Sequence, residues 1–264
     1  MKNISSKKNI RFEFGKNWAS YSKKIDNKII DKSIVGLKKL LPNNFNLKNK
    51  SFLDIGCGSG LHSISARIMG FKSIDSVDYD KNSVSTTIEN ATKFATEINV
   101  FEDDILNTNI SGKFDVVYSW GVLHHTGNLS KAIKNSSYLV SKDGLYIIAI
   151  YRKTKFCKIW KNVKYLYCSS NNFVKFLLFS LYYIILLLRL LFSFKPSKLF
   201  NIERGMNVYF DAIDWLGGYP YESASKEEII KMVGDNFILK NSFSTNSNLE
   251  LLGSGCAEYV FQKK

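Results

Sequence analysis

The chain has 264 residues, enough for one large domain or two small ones, and an apolar fraction of 45% supports a real core. Its formal charge of +14 suits anionic partners such as RNA or an acidic membrane surface, although lysine spread along the whole chain gives the same charge a purely compositional reading. Four cysteines stand far apart with no C-x-x-C pair, which argues against a zinc site and a disulfide framework; with a polar, basic N-terminus that carries no signal-peptide core, the chain reads as cytoplasmic.

Residues 1–50 form an N-terminal segment in which 20–41 reads as a helix. Ile25, Ile29, Ile30, Ile34, Leu37 and Leu41 recur at helical spacing, and Pro42 ends the run. From Ser51 the pattern alternates. Strands are predicted at 51–55, 73–77, 98–101, 114–119 and 144–151, with helices at 61–69, 81–97 and 129–140. Such alternation predicts an α/β fold with a parallel sheet and helices on both faces. The core unit runs over 51–151. A helical, strongly apolar insertion follows over 152–210, and 211–264 supplies a loop and two closing strands, 237–244 and 256–262, all within one structural domain.

The turn after the first strand carries the chemistry. In Leu53-Asp-Ile-Gly-Cys-Gly-Ser-Gly60, three glycines let backbone N–H groups approach a ligand, and the helix start behind them favours an anionic group. Asp78 ends the second strand, where parallel α/β sheets hold ribose hydroxyls. The spacing departs from a dinucleotide fingerprint, because Leu61 stands where the third glycine of G-x-G-x-x-G belongs. Asp54 would also repel a pyrophosphate, whereas it would suit a ligand bearing an ammonium and a sulfonium.

These residues resemble motif I of the class I S-adenosylmethionine-dependent methyltransferases. The resemblance extends to Arg11-Phe-Glu-Phe-Gly-Lys-Asn-Trp18, to Phe114–Thr126 with its G-V-L-H-H-T, to Asp211–Glu222 with D-W-L-G-G-Y-P, and to Gly253–Phe261, all shared with one bacterial subfamily distantly like ubiquinone-pathway and sugar O-methyltransferases. It implies a Rossmann-like seven-stranded sheet whose last strand is antiparallel, with a helical insertion after the fifth strand. It implies S-adenosyl-L-methionine as cofactor, held by Asp54 and the Gly56, Cys57, Gly58 and Gly60 turn at the methionine part. Asp78 would accept from both ribose hydroxyls and Tyr79 would lie along the adenine. Asp104 would accept from the adenine amino group, with Asp103 as the competing choice, and Ile105 would pack on the ring. Trp120 joins this set, and Trp18 either covers the cofactor or is a core tryptophan.

The acceptor side rests on fewer residues. An oxygen nucleophile must lose a proton, and histidine suits that role near neutral pH. His124 and His125 follow the fourth strand, at the end where such sheets bind ligands. His125 is the expected base, with His124 packing behind it and His62 structural. Asp214, Trp215 and Tyr219 are expected on a loop facing the substrate, with Trp and Tyr suited to stacking on a ring. No third ligand accompanies the histidines, so no metal is expected. After the fifth strand this chain reads Ile150-Tyr-Arg-Lys-Thr154 where the resembling proteins carry a polar I-Y-N-D-Q-like stretch, so their specificity does not transfer.

Residues 173–194 are nearly long enough to span a bilayer. A single crossing would separate the closing strands from their sheet, and Lys175 and Arg189 would each cost about 2.5–3.5 kcal/mol at the bilayer centre. A helical cap on the substrate side remains, either buried or docked on the cytoplasmic face of the membrane. Lys153, Lys155, Lys158, Lys161, Lys164, Lys195 and Lys198 flank the segment and suit an anionic leaflet. The reading is therefore O-methylation of a small-molecule, glycan or lipid-linked acceptor. An RNA or protein methyltransferase is the rival, disfavoured because neither an RNA-binding module nor an N-P-P-Y-type motif is present. A non-catalytic partner subunit of the same fold is the second rival.

Overall fold

A computed structural model of the chain describes residues 12–192, 208–244, 253 and 255–264. Arg11, Lys195, Lys198 and the last two residues of the apolar 173–194 segment lie outside them. Strands β1 (Ser51–Ile55), β2 (Ser73–Asp78), β3 (Asn99–Glu102), β4 (Phe114–Trp120), β5 (Val140–Tyr151), β6 (Phe237–Ser244) and β7 (Cys256–Lys263) form one sheet in the order β3-β2-β1-β4-β5-β7-β6. The pairs among β1 to β5 are parallel, and β7 runs antiparallel between β5 and β6. This is the α/β sheet expected from the alternation, with the Rossmann-like seven strands and antiparallel closing strand that the resemblance implies.

Helices α1 (Phe14–Ser22), α2 (Asn27–Leu40), α3 (Leu61–Met69), α4 (Lys81–Lys93), α5 (Leu129–Tyr138), α6 (Cys157–Ser169), α7 (Asn172–Phe192), α8 (Val208–Gly217) and α9 (Lys226–Val233) surround the sheet. Strand alternation sorts the core into two layers. Phe52, Val116 and Tyr118 pack beneath Leu37, Leu40 and Ala66 of α2 and α3. Their neighbours Leu53, Ile55 and Val117 pack on the other face with Ile133 of α5 and Ile229 of α9.

Local chemistry moved several boundaries. The helix expected over 20–41 is two helices, because the Asp26 carboxylate accepts from the Ile29 N–H and starts α2 anew. The helix expected to reach Glu97 stops at Lys93, followed by Ala95 at φ 49°. β5 begins at Val140, four residues earlier than its apolar run suggests. As expected, 172–192 is helical and follows the fifth strand.

Candidate active site

The glycine turn is built against the tip of β2. Gly56 and Cys57 donate their N–H groups to the Val77 carbonyl at 2.7 and 3.0 Å. Gly58 N–H donates to Asp78 Oδ2 at 3.0 Å, and Asp80 N–H donates to Asp78 Oδ1 at 2.9 Å. Gly56 sits at φ 79°, and a Cβ there would meet the Val122 side chain at 2.4 Å. Only glycine satisfies both constraints. Gly60 caps the start of α3 in the left-handed region. Asp54 is placed differently from the expectation that it faces the methionine part. Strand alternation sends its side chain under α3, where it is buried and accepts from Ser63 Oγ at 2.6 Å. Burial, reinforced by the Asp78 charge, pushes its carboxyl up to about 7 despite the Ser63 bond.

Above the turn lies a cavity of about 930 Å³. Gly56, Cys57, Gly58, Asp78 and Tyr79 line one end of it, and Asp103, Asp104 and Ile105 stand beside them. The two acids differ. Asp104 Oδ1 accepts from Leu106 N–H and caps a short 3-10 turn. Asp103 Oδ2 accepts from Asn109 N–H, while its Oδ1 is buried with no hydrogen-bond partner among the described residues. A buried acceptor without a donor costs about 1–3 kcal/mol unless a ligand supplies one, so the geometry turns attention to Asp103. Trp18 of α1 lines the cavity with its ring over Gly58, where a Cβ would approach it to 3.1 Å. Trp120 also lines the wall, its Nε1 donating to Glu258 Oε1 at 2.7 Å.

The fourth-strand motif and the D-W-L-G-G-Y-P segment meet at the other end. His125 lines the cavity and its Nδ1 lies 2.8 Å from the Pro220 carbonyl. A carbonyl only accepts, so Nδ1 carries a proton, and in the neutral ring the lone pair is on Nε2. Glu222 N–H donates to the His124 carbonyl at 3.0 Å, and Glu222 Oε2 accepts from Leu129 N–H at 2.8 Å, which locks the two segments together. Phe14 of α1 covers His125 with a ring separation of 5.1 Å. His124 lies behind, fully buried against Tyr151 at 3.9 Å, and burial, then His125 and Lys164, hold its ring nitrogens well below the usual imidazole range.

Asp214 and Trp215 line the cavity, but they stand on the last turns of α8 rather than on a loop. Asp214 Oδ1 accepts from Asn17 Nδ2 at 2.6 Å; burial pushes its carboxyl up to about 8 and that of its neighbour Asp211 up to about 7. Tyr219 is not in the wall, since its ring packs on Tyr165 of α6 at 5.5 Å. Lys164, expected among the membrane-facing lysines, is instead buried. It donates to the Trp215 carbonyl and its Nζ lies 3.8 Å from the Trp215 ring centroid, so burial holds it well below the usual lysine range. Sequence reasoning missed Tyr182, Leu186 and Arg189 of α7, which line the cavity together with Asp211. Their i, i+4, i+7 spacing was the available signal, hidden because nearly every other residue of α7 is also apolar. Among the described residues no group of three His, Cys, Asp or Glu side chains is placed to hold a metal ion.

Comparison with known proteins agrees with this geometry. A family model described as a methyltransferase domain matches residues 46–189, more than half of the chain. A ubiquinone biosynthesis O-methyltransferase of Pelagibacter ubique is 27% identical over 193 residues, 70% of this chain and 72% of that protein. A ribosomal protein L11 methyltransferase of Thermosipho melanesiensis is 35% identical over 97 residues; the match spans 37% of this chain and only 36% of that protein. Among solved structures, magnesium protoporphyrin IX methyltransferase of Synechocystis with bound S-adenosylhomocysteine (SAH) aligns over 90% of this chain and 83% of its own, with TM-score 0.55 and 17% identity. The N-methyltransferase NodS of Bradyrhizobium japonicum with SAH aligns over 95% and 98%, with TM-score 0.55 and 12% identity. At these identities the two structures speak for the fold alone.

Proposed function

This chain belongs to the S-adenosylmethionine-dependent methyltransferases of class I, and from that premise we propose that it O-methylates a small-molecule or glycan acceptor with His125 as general base. The residues present fit the cofactor: the orphaned Asp103 Oδ1 suits an exocyclic amine, Asp78 suits a ribose diol, and Trp18 packs on the Gly58 backbone to wall the cavity beside them. S-adenosylmethionine held by these residues would supply an electrophilic methyl group for the acceptor oxygen, whose proton would pass to His125.

This chain's own part is alignment and proton removal. The observation that carries the proposal is the His125–Pro220 contact, which orients the imidazole in the cavity wall. Phe12, Phe14 and Trp18 of the N-terminal segment wall the cavity and help to exclude water. His124 supports the ring of His125 at 4.3 Å and does not line the cavity. The similarity to O-methyltransferases supports oxygen as the acceptor atom, while the similarity to an L11 methyltransferase keeps a protein acceptor as the alternative.

His125→Ala should lower turnover about 10²–10⁴-fold with SAH affinity nearly unchanged, and raising the pH should partly rescue the variant. A turnover loss accompanied by an equal loss of SAH affinity would show that His125 shapes the pocket instead. Transfer to ribosomal proteins but not to extracted metabolites would favour the alternative acceptor.

A further inference from the structure

The two faces of α7 point to different surroundings. Its inner face, with Phe179, Tyr182 and Tyr183, packs on Trp160 of α6 and Tyr209 of α8, and Tyr182, Leu186 and Arg189 reach the cavity wall. Its outer face carries Phe173, Phe176, Leu177, Leu181, Ile184 and Leu188, each about half exposed or more. These positions recur at three- and four-residue steps, so they form one apolar stripe along the helix. Ile159 and Leu166 extend it onto α6. A contiguous apolar surface of this extent marks an interaction site.

Charge identifies the occupant. The sequence contains no Asp or Glu between Asp143 and Glu203, while Lys155, Lys158 and Lys161 are exposed at the start of α6 and beside it. An apolar stripe beside a segment that carries lysines and no Asp or Glu of its own matches an anionic bilayer surface, in which apolar side chains sink below the headgroups and lysines stay among them; Lys161 also feels the half-buried Glu222. The helix is long and apolar enough to cross a membrane, with mean hydropathy 1.6 over Asn172–Arg189. A single crossing is incompatible with the fold, because β5 before it and β7 after it pair from Leu145↔Gln262 to Tyr151↔Cys256 in one sheet.

We propose that the exposed face of α6 and α7 docks on an anionic bilayer surface, so that the cavity behind α7 receives a lipid-linked acceptor from that surface. The docking half stands on the surface alone; the acceptor half rests on the methyltransferase reading. α7 is one helix thick, with the apolar stripe on one side and the cavity on the other. A lipid-linked acceptor would therefore keep its chain at the bilayer while its polar end meets Arg189, Asp211 and His125.

The test uses the full chain with vesicles of phosphatidylcholine alone and of phosphatidylcholine mixed with phosphatidylglycerol. Flotation with the mixed vesicles only, weakened by high salt, is expected. Lys155→Gln, Lys158→Gln and Lys161→Gln combined should weaken partition about a hundredfold. Phe176→Ser, Leu181→Ser and Ile184→Ser combined should abolish flotation while SAH binding, read by calorimetry, is kept. Label from tritiated S-adenosylmethionine should appear in the organic-extractable fraction of added membrane lipids, at a rate that falls in the serine variant. No flotation with SAH binding intact overturns the docking, and a wild-type dimer that the serine variant dissociates assigns the face to a second copy instead. Label confined to water-soluble products at rates indifferent to vesicles overturns the lipid-linked acceptor. Flotation without any SAH binding would leave the docking standing and sink the methyltransferase reading alone.

Discussion

Asp78→Asn is the sharpest probe of the cofactor end. In the wild type the two carboxylate oxygens accept from two backbone donors, Gly58 N–H at 3.0 Å and Asp80 N–H at 2.9 Å. Asparagine keeps the shape but has one oxygen and one NH2 group. Whichever way the amide turns, one N–H faces another N–H, so one bond to a charged acceptor is lost and the other becomes neutral. A hydrogen bond to a charged group contributes about 1.5–3 kcal/mol, and the ribose hydroxyls expected at this carboxylate lose the same charge. Affinity for SAH should therefore fall about 10- to 150-fold, the factor that this energy represents. Calorimetry measures it directly. A melting curve with and without SAH gives an independent value, because ligand stabilisation scales with the logarithm of ligand concentration over Kd. Asp75→Asn is the control: it lies on the same strand but pairs with Asn99 at 2.8 Å, away from the cavity. An Asp78→Asn protein that binds SAH within about twofold of wild type would refute the assignment of Asp78 to the cofactor.

Two further outcomes follow from the buried acids. Asp103→Asn should weaken SAH binding more than Asp104→Asn, because Asp103 Oδ1 lacks a donor in the protein whereas Asp104 is already a cap; competition between SAH and an analogue lacking the adenine amino group reads this, and equal discrimination in both variants would return the role to Asp104. Burial holds Asp54 and Asp211 near 7 and Asp214 near 8, so above about pH 4 the folded chain keeps protons that the unfolded chain has released. The unfolded state then binds fewer protons, and stability falls as pH rises from about 4 to about 8, then stops falling. Lys164 works the other way, since its folded value is lowered and its deprotonation in the fold makes stability rise with pH up to about 10.4. His124, also lowered by burial, acts in the same sense as Lys164 up to about pH 6.5; three acids still outnumber these two groups, so urea melts should show a net decline across that window, shallower in Asp211→Asn, and a wild-type stability that rises through it would contradict the burial argument.

The sheet was legible because its strands are short and its loops carry strong punctuation. β1, β2 and β4 each carry apolar or β-branched residues up to a turn, and glycine marks where the backbone takes a positive φ after β1 and β4. That Gly56, Gly58, Asp78, Asp103 and Asp104 gather at one cavity was legible for the same reason: they are fixed by chain position relative to strand ends, with no need to know what packs around them. Asp54 was misplaced because its facing is decided by strand alternation and by Ser63 nine residues on, not by its nearness to the turn. The N-terminal helix was read as one because Asp26 sits between two apolar runs of the same period, and only the cap geometry breaks them.

The acceptor end was hidden for a different physical reason. Its walls come from segments distant in sequence: α1, the end of β4, α7, and α8, with Phe12 N–H donating to the Tyr219 carbonyl and Asn17 donating to Asp214. No local period reports such a meeting. Lys164 shows the limit most clearly, since sequence places it in a row of surface lysines, whereas the aromatic rings of Trp215, Tyr151 and Tyr221 enclose it in the fold. The same enclosure ties α6 to α8 directly behind Asp214. Where the resembling proteins carry N-D-Q after a shared I-Y, this chain has Arg152, Lys153 and Thr154, and Arg152 lines the cavity beside Tyr151. A pocket lined by Arg152, Arg189 and the two proton-holding acids Asp211 and Asp214 differs chemically from one furnished by an amide and an acid. The choice of acceptor proposed above accordingly rests most on α7, which lies outside every motif shared with the resembling methyltransferases.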